Sequence, residues 1–167
     1  MSSPLTLVVG SPAPDFSAPG TGGETITLSQ FRNNRRVVLS FYPRDFSWGC
    51  TRQLCSYRDG YAEFTRRNAI VLGVSRNPPP SQARFAELNR LPFTLISDYV
   101  GNIARRYGVT RLGGLLSFPR RVTFVIDERG VIRGAICHEI AVGRHLSEAL
   151  EILDGLAPPG GAPPRGG

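Results

Sequence analysis

Two cysteines five residues apart, Cys50 and Cys55, are the side chains best placed to do chemistry. They lie in the segment 41–59, FYPRDFSWGCTRQLCSYRD. An apolar run ends there, a seven-residue loop (43–49) follows, and Cys50 falls where a helix should begin. Free backbone N–H groups and the helix dipole at such a place favour a thiolate. A nearby arginine would add a charge that does not titrate away. The competing reading is a small buried hydrophobe, a common fate of free cysteine. Cys55 raises a geometric question. On an ideal helix two residues five apart have Cα atoms ~8.7 Å from each other, beyond the ~7 Å that a disulfide spans. A Cys50–Cys55 bridge therefore requires the first helical turns to unwind. This separates the pattern from Cys-x-x-Cys, whose thiols can bridge without such a change. By spacing alone, Cys55 reads as an ordinary core position.

Other chemistries find little support. Cys137, His138 and His145 complete the Cys/His inventory, but no paired Cys-x-x-Cys or His-x3-His knuckle suggests zinc. No Gly-x-Ser-x-Gly elbow is present. All 20 Lys+Arg residues are arginine, so neither a Schiff-base lysine nor a P-loop lysine exists. Cys137 itself is expected to be a buried structural thiol.

The elements that must position the cysteines follow from periodicity. The run 37–42 (VVLSFY) suits a buried strand. Leu54, Tyr57, Tyr61 and Phe64 mark one face of a helix over 50–67, with Gly60 weakening its middle. Residues 69–74 (AIVLGV) form a second strand. Pro78-Pro79-Pro80 breaks the chain, and Ser81 is expected to cap a helix reaching about Leu91, before Pro92. A short strand over 93–97 and a short helix over 101–107 come next. Strands 122–126 and 131–137, joined by a turn at Glu128-Arg129-Gly130, make a hairpin. Leu146, Ala149, Leu150, Leu153 and Leu156 form the apolar stripe of a last helix. A βαβ unit followed by ββα around one mixed sheet is an α/β, thioredoxin-like arrangement.

With 167 residues the chain holds one domain, expected over 1–156. The remaining 157–167, APPGGAPPRGG, reads as a disordered tail. The formal charge of +7 admits nucleic acid as a partner, but the arginines are scattered, in pairs at most, so none is expected. No apolar run approaches the ~18–20 residues that span a membrane. The start has no secretory pattern, and a cytoplasmic location is expected.

The active-site segment resembles a known family. Pro43-x-x-x-Ser47-x-x-Cys50 is similar to the peroxiredoxin motif Pro-x-x-x-Thr/Ser-x-x-Cys, and the Cys-x4-Cys spacing resembles the peroxiredoxin Q, or bacterioferritin comigratory protein, group. The resemblance extends from about Val9 through GVSRNPPPSQARFAEL, LPFTLISD and RRVTFVIDERGVI, nearly all of the chain but the tail. It implies a thiol peroxidase without metal, haem or flavin, acting on hydrogen peroxide and organic hydroperoxides. Cys50 would be the peroxidatic cysteine, passing through a sulfenic acid. Ser47 would hydrogen-bond peroxide and thiolate, and Arg121 would stabilise both. Pro43 would shield the thiolate, and N–H groups at Gly49 and Cys50 would polarise substrate. Gln53 matches a Glu/Gln position near the site. Cys55 would be the resolving cysteine, its disulfide with Cys50 opened by a thioredoxin-type reductant. A monomer is implied, with a dimer as the alternative. Trp48 stands where the family commonly has proline, and Ser47 replaces the commoner threonine.

Two readings from other classes compete with this one. A general thiol-disulfide oxidoreductase would lack the usual Cys-x-x-Cys. A non-enzymatic redox sensor, or an arginine-rich nucleic-acid binder, would need no turnover.

Overall fold

A computed structural model of the chain describes residues 7–111 and 118–158. Most of the expected tail, 159–167, lies outside the described residues. Among the described residues there are seven strands and five α-helices, and five of the strands form one mixed sheet. Its order is β5 (Thr94–Ser97), β4 (Ala69–Ser75), β3 (Arg36–Phe41), β6 (Val122–Ile126), β7 (Ile132–Cys137). Strand β3 runs parallel to β4 and antiparallel to β6, with Ser40 opposite Thr123. This is the thioredoxin-like order of elements expected from the chain.

The centre of the sheet explains the composition of β3. Every one of its residues is buried, because helices cover both faces and no face is left for water. Val37, Leu39 and Phe41 pack on one side, with Ile103 and Ala104 of α4 (Asn102–Arg106) and with β1 (Ser17–Pro19) and β2 (Thr25–Thr27). Val38 and Tyr42 face the other side. There they meet α1 (Trp48–Asp59), α2 (Tyr61–Arg66), α3 (Pro79–Leu88) and α5 (Arg144–Asp154). Ser40 shares that second face by the two-residue alternation of a strand, and like Arg36 at the start of the row it is a buried polar residue.

Three expectations are corrected. The helix expected over 50–67 is two helices, broken at Gly60. A Cβ at Gly60 would lie 3.0 and 3.1 Å from the Leu146 methyl carbons, so the glycine admits the close approach of α5. The third helix begins at Pro79, not after Ser81, because prolines fit the first helical positions, where no intrahelical N–H is needed. Ser81 Oγ donates instead to Asp45 Oδ2 at 2.9 Å. Cys137 is exposed rather than buried. On β7 residues 132, 134 and 136 point inward, and the period of two turns 133, 135 and 137 outward.

Candidate active site

Cys50 is the third residue of α1, fully buried among Val38, Tyr42, Leu54 and Tyr57. Ser47 is the N-cap of that helix. Its Oγ accepts from the Cys50 N–H at 3.4 Å and donates to the Arg44 carbonyl at 3.1 Å. The capping hydroxyl and the thiol thus sit on one turn, as the Ser-x-x-Cys spacing requires.

The loop before the cap is held tightly. Phe46 has φ 62°, a left-handed conformation that is costly for a bulky residue. Its ring packs edge-on against Phe85 at 5.1 Å. Beside it Asp45 is buried, accepting from Tyr42 Oη at 2.7 Å and from Ser81, while its own N–H donates to Asn77 Oδ1 at 2.9 Å. Burial raises the Asp45 carboxyl above the usual carboxylate range, against the pull of these hydroxyl donors. Strands β3 and β4 and helix α3 are therefore all tied to the loop that delivers Cys50.

Arg121 enters from the start of β6, across the sheet from the end of β3. It is 6% exposed. Its Nη1 donates to Gln53 Oε1 at 2.6 Å. A Cβ built at Gly49 would stand 3.0 Å from Arg121 Nη2, so the guanidinium occupies the space beside the residue that precedes Cys50. Glycine leaves the cation its room here, in addition to any part its N–H plays. The Arg121 Nε–H is buried and has no acceptor among the described residues. Neighbouring Arg120 points elsewhere, its Nη2 lying 4.0 Å from Cys137 Sγ. Gln53 is also fully buried. Its Nε2 donates to Ser40 Oγ at 2.9 Å, so the amide spans from Arg121 to the buried hydroxyl of β3.

Cys55 lies on the same helix and is half-buried. Its thiol donates to Asn89 Oδ1 at 3.6 Å, just past the end of α3. Arg58 donates to the Asn89 carbonyl at 2.7 Å. Both thiols are free, and α1 is continuous between them. Phe46, Trp48, Thr51 and Arg52 line a groove with Cys55. Trp48 is exposed there, with the Arg52 guanidinium 5.3 Å from its ring centre.

Of the side chains expected from sequence, Ser47, Cys50, Gln53, Arg121 and the Gly49 backbone gather at the start of α1. Pro43 is half-buried two residues beyond β3. Cys55 stands one turn and more away, outside bridging range. Sequence reasoning did not find Ser40, Tyr57, Thr123 and Asn89. Thr123 follows Arg121 by two on one strand face, a signal the alternation carried.

The chain is similar to several known proteins. Residues 9–135 match the model of the AhpC/TSA family. A chloroplastic peroxiredoxin Q from Populus jackii is 38% identical over 148 residues, 88% of this chain and 68% of the relative. A putative peroxiredoxin bcp from Coxiella burnetii is 34% identical over 150 residues, 87% and 98% of the two. Among solved structures, the peroxidoxin BcpB from Mycobacterium tuberculosis superposes with a TM-score of 0.85 at 34% identity, covering 90% of this chain and 99% of the other.

Proposed function

The chain belongs to the AhpC/TSA family and is a thiol-dependent peroxidase, and on that premise we propose how its own residues run the cycle. The Cys50 thiolate attacks the terminal oxygen of a hydroperoxide. The S–O bond forms as the O–O bond breaks, and the departing alkoxide or hydroxide takes a proton to leave as alcohol or water. Arg121 stabilises the negative charge that passes from sulfur to the leaving oxygen. The observation that carries this role is its buried Nε–H without an acceptor, on a guanidinium held over Gly49. Ser47 supplies a hydroxyl that turns from the Arg44 carbonyl to the peroxide, and Pro43 keeps water from the thiolate. The first-turn N–H groups at Gly49 and Cys50 bind the substrate oxygen.

The Cys50 sulfenic acid then condenses with Cys55. The Cys55 thiolate attacks the Cys50 sulfur, hydroxide leaves as water, and an intramolecular disulfide results. Because α1 holds the two Cα atoms ~8.7 Å apart, this step unwinds its first turns and breaks the Ser47 cap. A thioredoxin-type dithiol returns the two electrons. The groove beside Cys55, with Trp48 and Phe46, supports its approach on that side. We place this cycle in the cytoplasm, as a monomer.

Reduced protein should consume one equivalent of peroxide and form one Cys50–Cys55 disulfide, read by non-reducing intact mass and digestion. Cys55→Ser should take one turnover and stop at the sulfenic acid. Full peroxide consumption by Cys50→Ser, or a Cys50–Cys137 disulfide as the main product, overturns the assignment.

A further inference from the structure

Behind Arg121 runs a chain of buried polar side chains that ends on the last helix. Gln53 Nε2 donates to Ser40 Oγ at 2.9 Å. Ser40 Oγ lies 2.9 Å from Thr123 Oγ1, and Tyr57 Oη 2.8 Å from it. Thr123 Oγ1 lies 2.9 Å from His145 Nδ1, and His145 Nε2 lies 2.9 Å from the His138 carbonyl. Gln53, Ser40, Tyr57, Thr123 and His145 are each 0% exposed.

The two ends of this chain set its direction. A carbonyl only accepts, so His145 Nε2 carries a hydrogen and donates it to His138. In a neutral imidazole Nδ1 is then a lone pair, and Thr123 must donate to it. At the other end a guanidinium only donates, so Gln53 turns its oxygen to Arg121 and its NH2 to Ser40. Every bond thus points the same way, from Arg121 to His145, an alignment in which each bond polarises the next. Among the described residues no hydrogen bond joins Thr123 or His145 to Arg121 directly, and the elements involved are β3, α1, β6 and α5.

We propose that neutral His145 is a positioning residue for the peroxidase reaction, anchoring Arg121 beside Cys50 through Thr123, Ser40 and Gln53, and that its protonation loosens this hold and slows attack on peroxide. A hydrogen on Nδ1 makes Thr123 the acceptor and turns its own hydrogen to Tyr57 or Ser40, 2.8 and 2.9 Å away. Either way the three hydroxyls of Ser40, Tyr57 and Thr123 must re-pair, and one bond then spans the longer 3.3 Å between Ser40 and Tyr57. Protonation also places a second cation in the network that already holds Arg121. The charged and titratable groups facing His145 are His138, Arg121 and Glu148. Glu148 itself is bonded to His138 and Arg144. Burial, with His138 and Arg121, keeps His145 below the ordinary imidazole range, while its bond to the His138 carbonyl and the charge of Glu148 act the other way. The imidazole is therefore neutral at pH 7, and the loss belongs to more acid solution.

The inference rests on Cys50 and Arg121 acting as proposed above. The measurement is the second-order rate constant for Cys50 oxidation by hydrogen peroxide, taken by stopped flow between pH 4.5 and 8. Thr123→Val cuts the chain and should lower the constant roughly tenfold at pH 7.5, while Thr123→Ser, which keeps the hydroxyl, restores it. His145→Gln can accept from Thr123 and donate to His138 without titrating. It should stay within about threefold of wild type at pH 7.5 and lose one ionisation from the acid limb of the profile. In wild type that ionisation should coincide with the His145 imidazole midpoint measured by NMR, in a chain with two histidines to resolve. A folded Thr123→Val protein with the wild-type constant, or a His145→Gln profile superimposed on wild type, overturns the positioning role. Peroxide consumption surviving in Cys50→Ser would instead sink the catalytic assignment beneath it.

Discussion

Replacing Gly49 with alanine should slow the protein far more than it destabilises it. The new Cβ would sit 3.0 Å from Arg121 Nη2 and 3.7 Å from Cζ. Contacts at 3.0 Å are too close for carbon, so one partner must move by a few tenths of an ångström. The backbone of α1 is capped by Ser47, so the guanidinium moves. Its bond to Gln53 is short, 2.6 Å, and both side chains are buried, so displacement degrades a charge-assisted hydrogen bond and the aim of the cation. Such a bond contributes about 1.5–3 kcal/mol. If that is lost in the transition state, Cys50 oxidation slows by about 10- to 150-fold at about 1.4 kcal/mol per decade. The helical gain of Gly→Ala, up to about 1 kcal/mol, offsets part of the same loss in the folded state, so stability should fall by no more than about 2 kcal/mol. Trp48, the single tryptophan, lies two residues from Cys50 and supplies the fluorescence signal for stopped flow. Urea denaturation of the reduced protein supplies the stability. An unchanged oxidation rate would refute the seat of Arg121 over Gly49. A slow variant destabilised by clearly more than about 2 kcal/mol would refute the claim that only the cation has moved.

Three further outcomes are expected. Asn89→Ala removes the acceptor of the Cys55 thiol, a bond of about 0.5–1.5 kcal/mol; disulfide formation after oxidation should quicken by up to about tenfold, followed by quenched-flow alkylation. Oxidation to the disulfide should cost roughly two turns of helix from α1, visible as a smaller far-UV circular dichroism signal that dithiothreitol restores. A histidine held low in the native state and free in the unfolded state contributes stability that is complete above the ordinary imidazole value. That stability is lost as pH falls through the native one, because the unfolded chain takes up the proton first. Wild-type denaturation midpoints should therefore fall more steeply than those of His145→Gln between pH 7 and 5.

The legible parts of the molecule are those whose cause is local. The unbroken apolar run of β3 announces a strand covered on both faces, and the loop that ends it puts Cys50 at a helix start whatever the rest of the chain does. The Cys50–Cys55 spacing alone says that one helix cannot hold both thiols and a bridge between them. Local patterns were blind to β1 and β2, whose three residues each are too few for an alternation to stand out. They also overstated Gly60 as a mere weak point, because its neighbour Leu146 is 86 positions away along the chain. Arg121 against Arg120 was settled by strand parity. One parity turns the side chain under α1 and the other turns it outward, as the same rule exposes Cys137. The polar chain from Gln53 through Ser40 and Thr123 to His145 had no local signature. Its members are separated by up to 105 positions, and they meet only because β3 pairs with β6 in one register and α5 packs against both β6 and β7. Sequence by itself determined which atoms could react. Tertiary structure decided what stands behind them, since hydrogen-bond direction in a dry interior depends on partners that only folding brings within 3 Å.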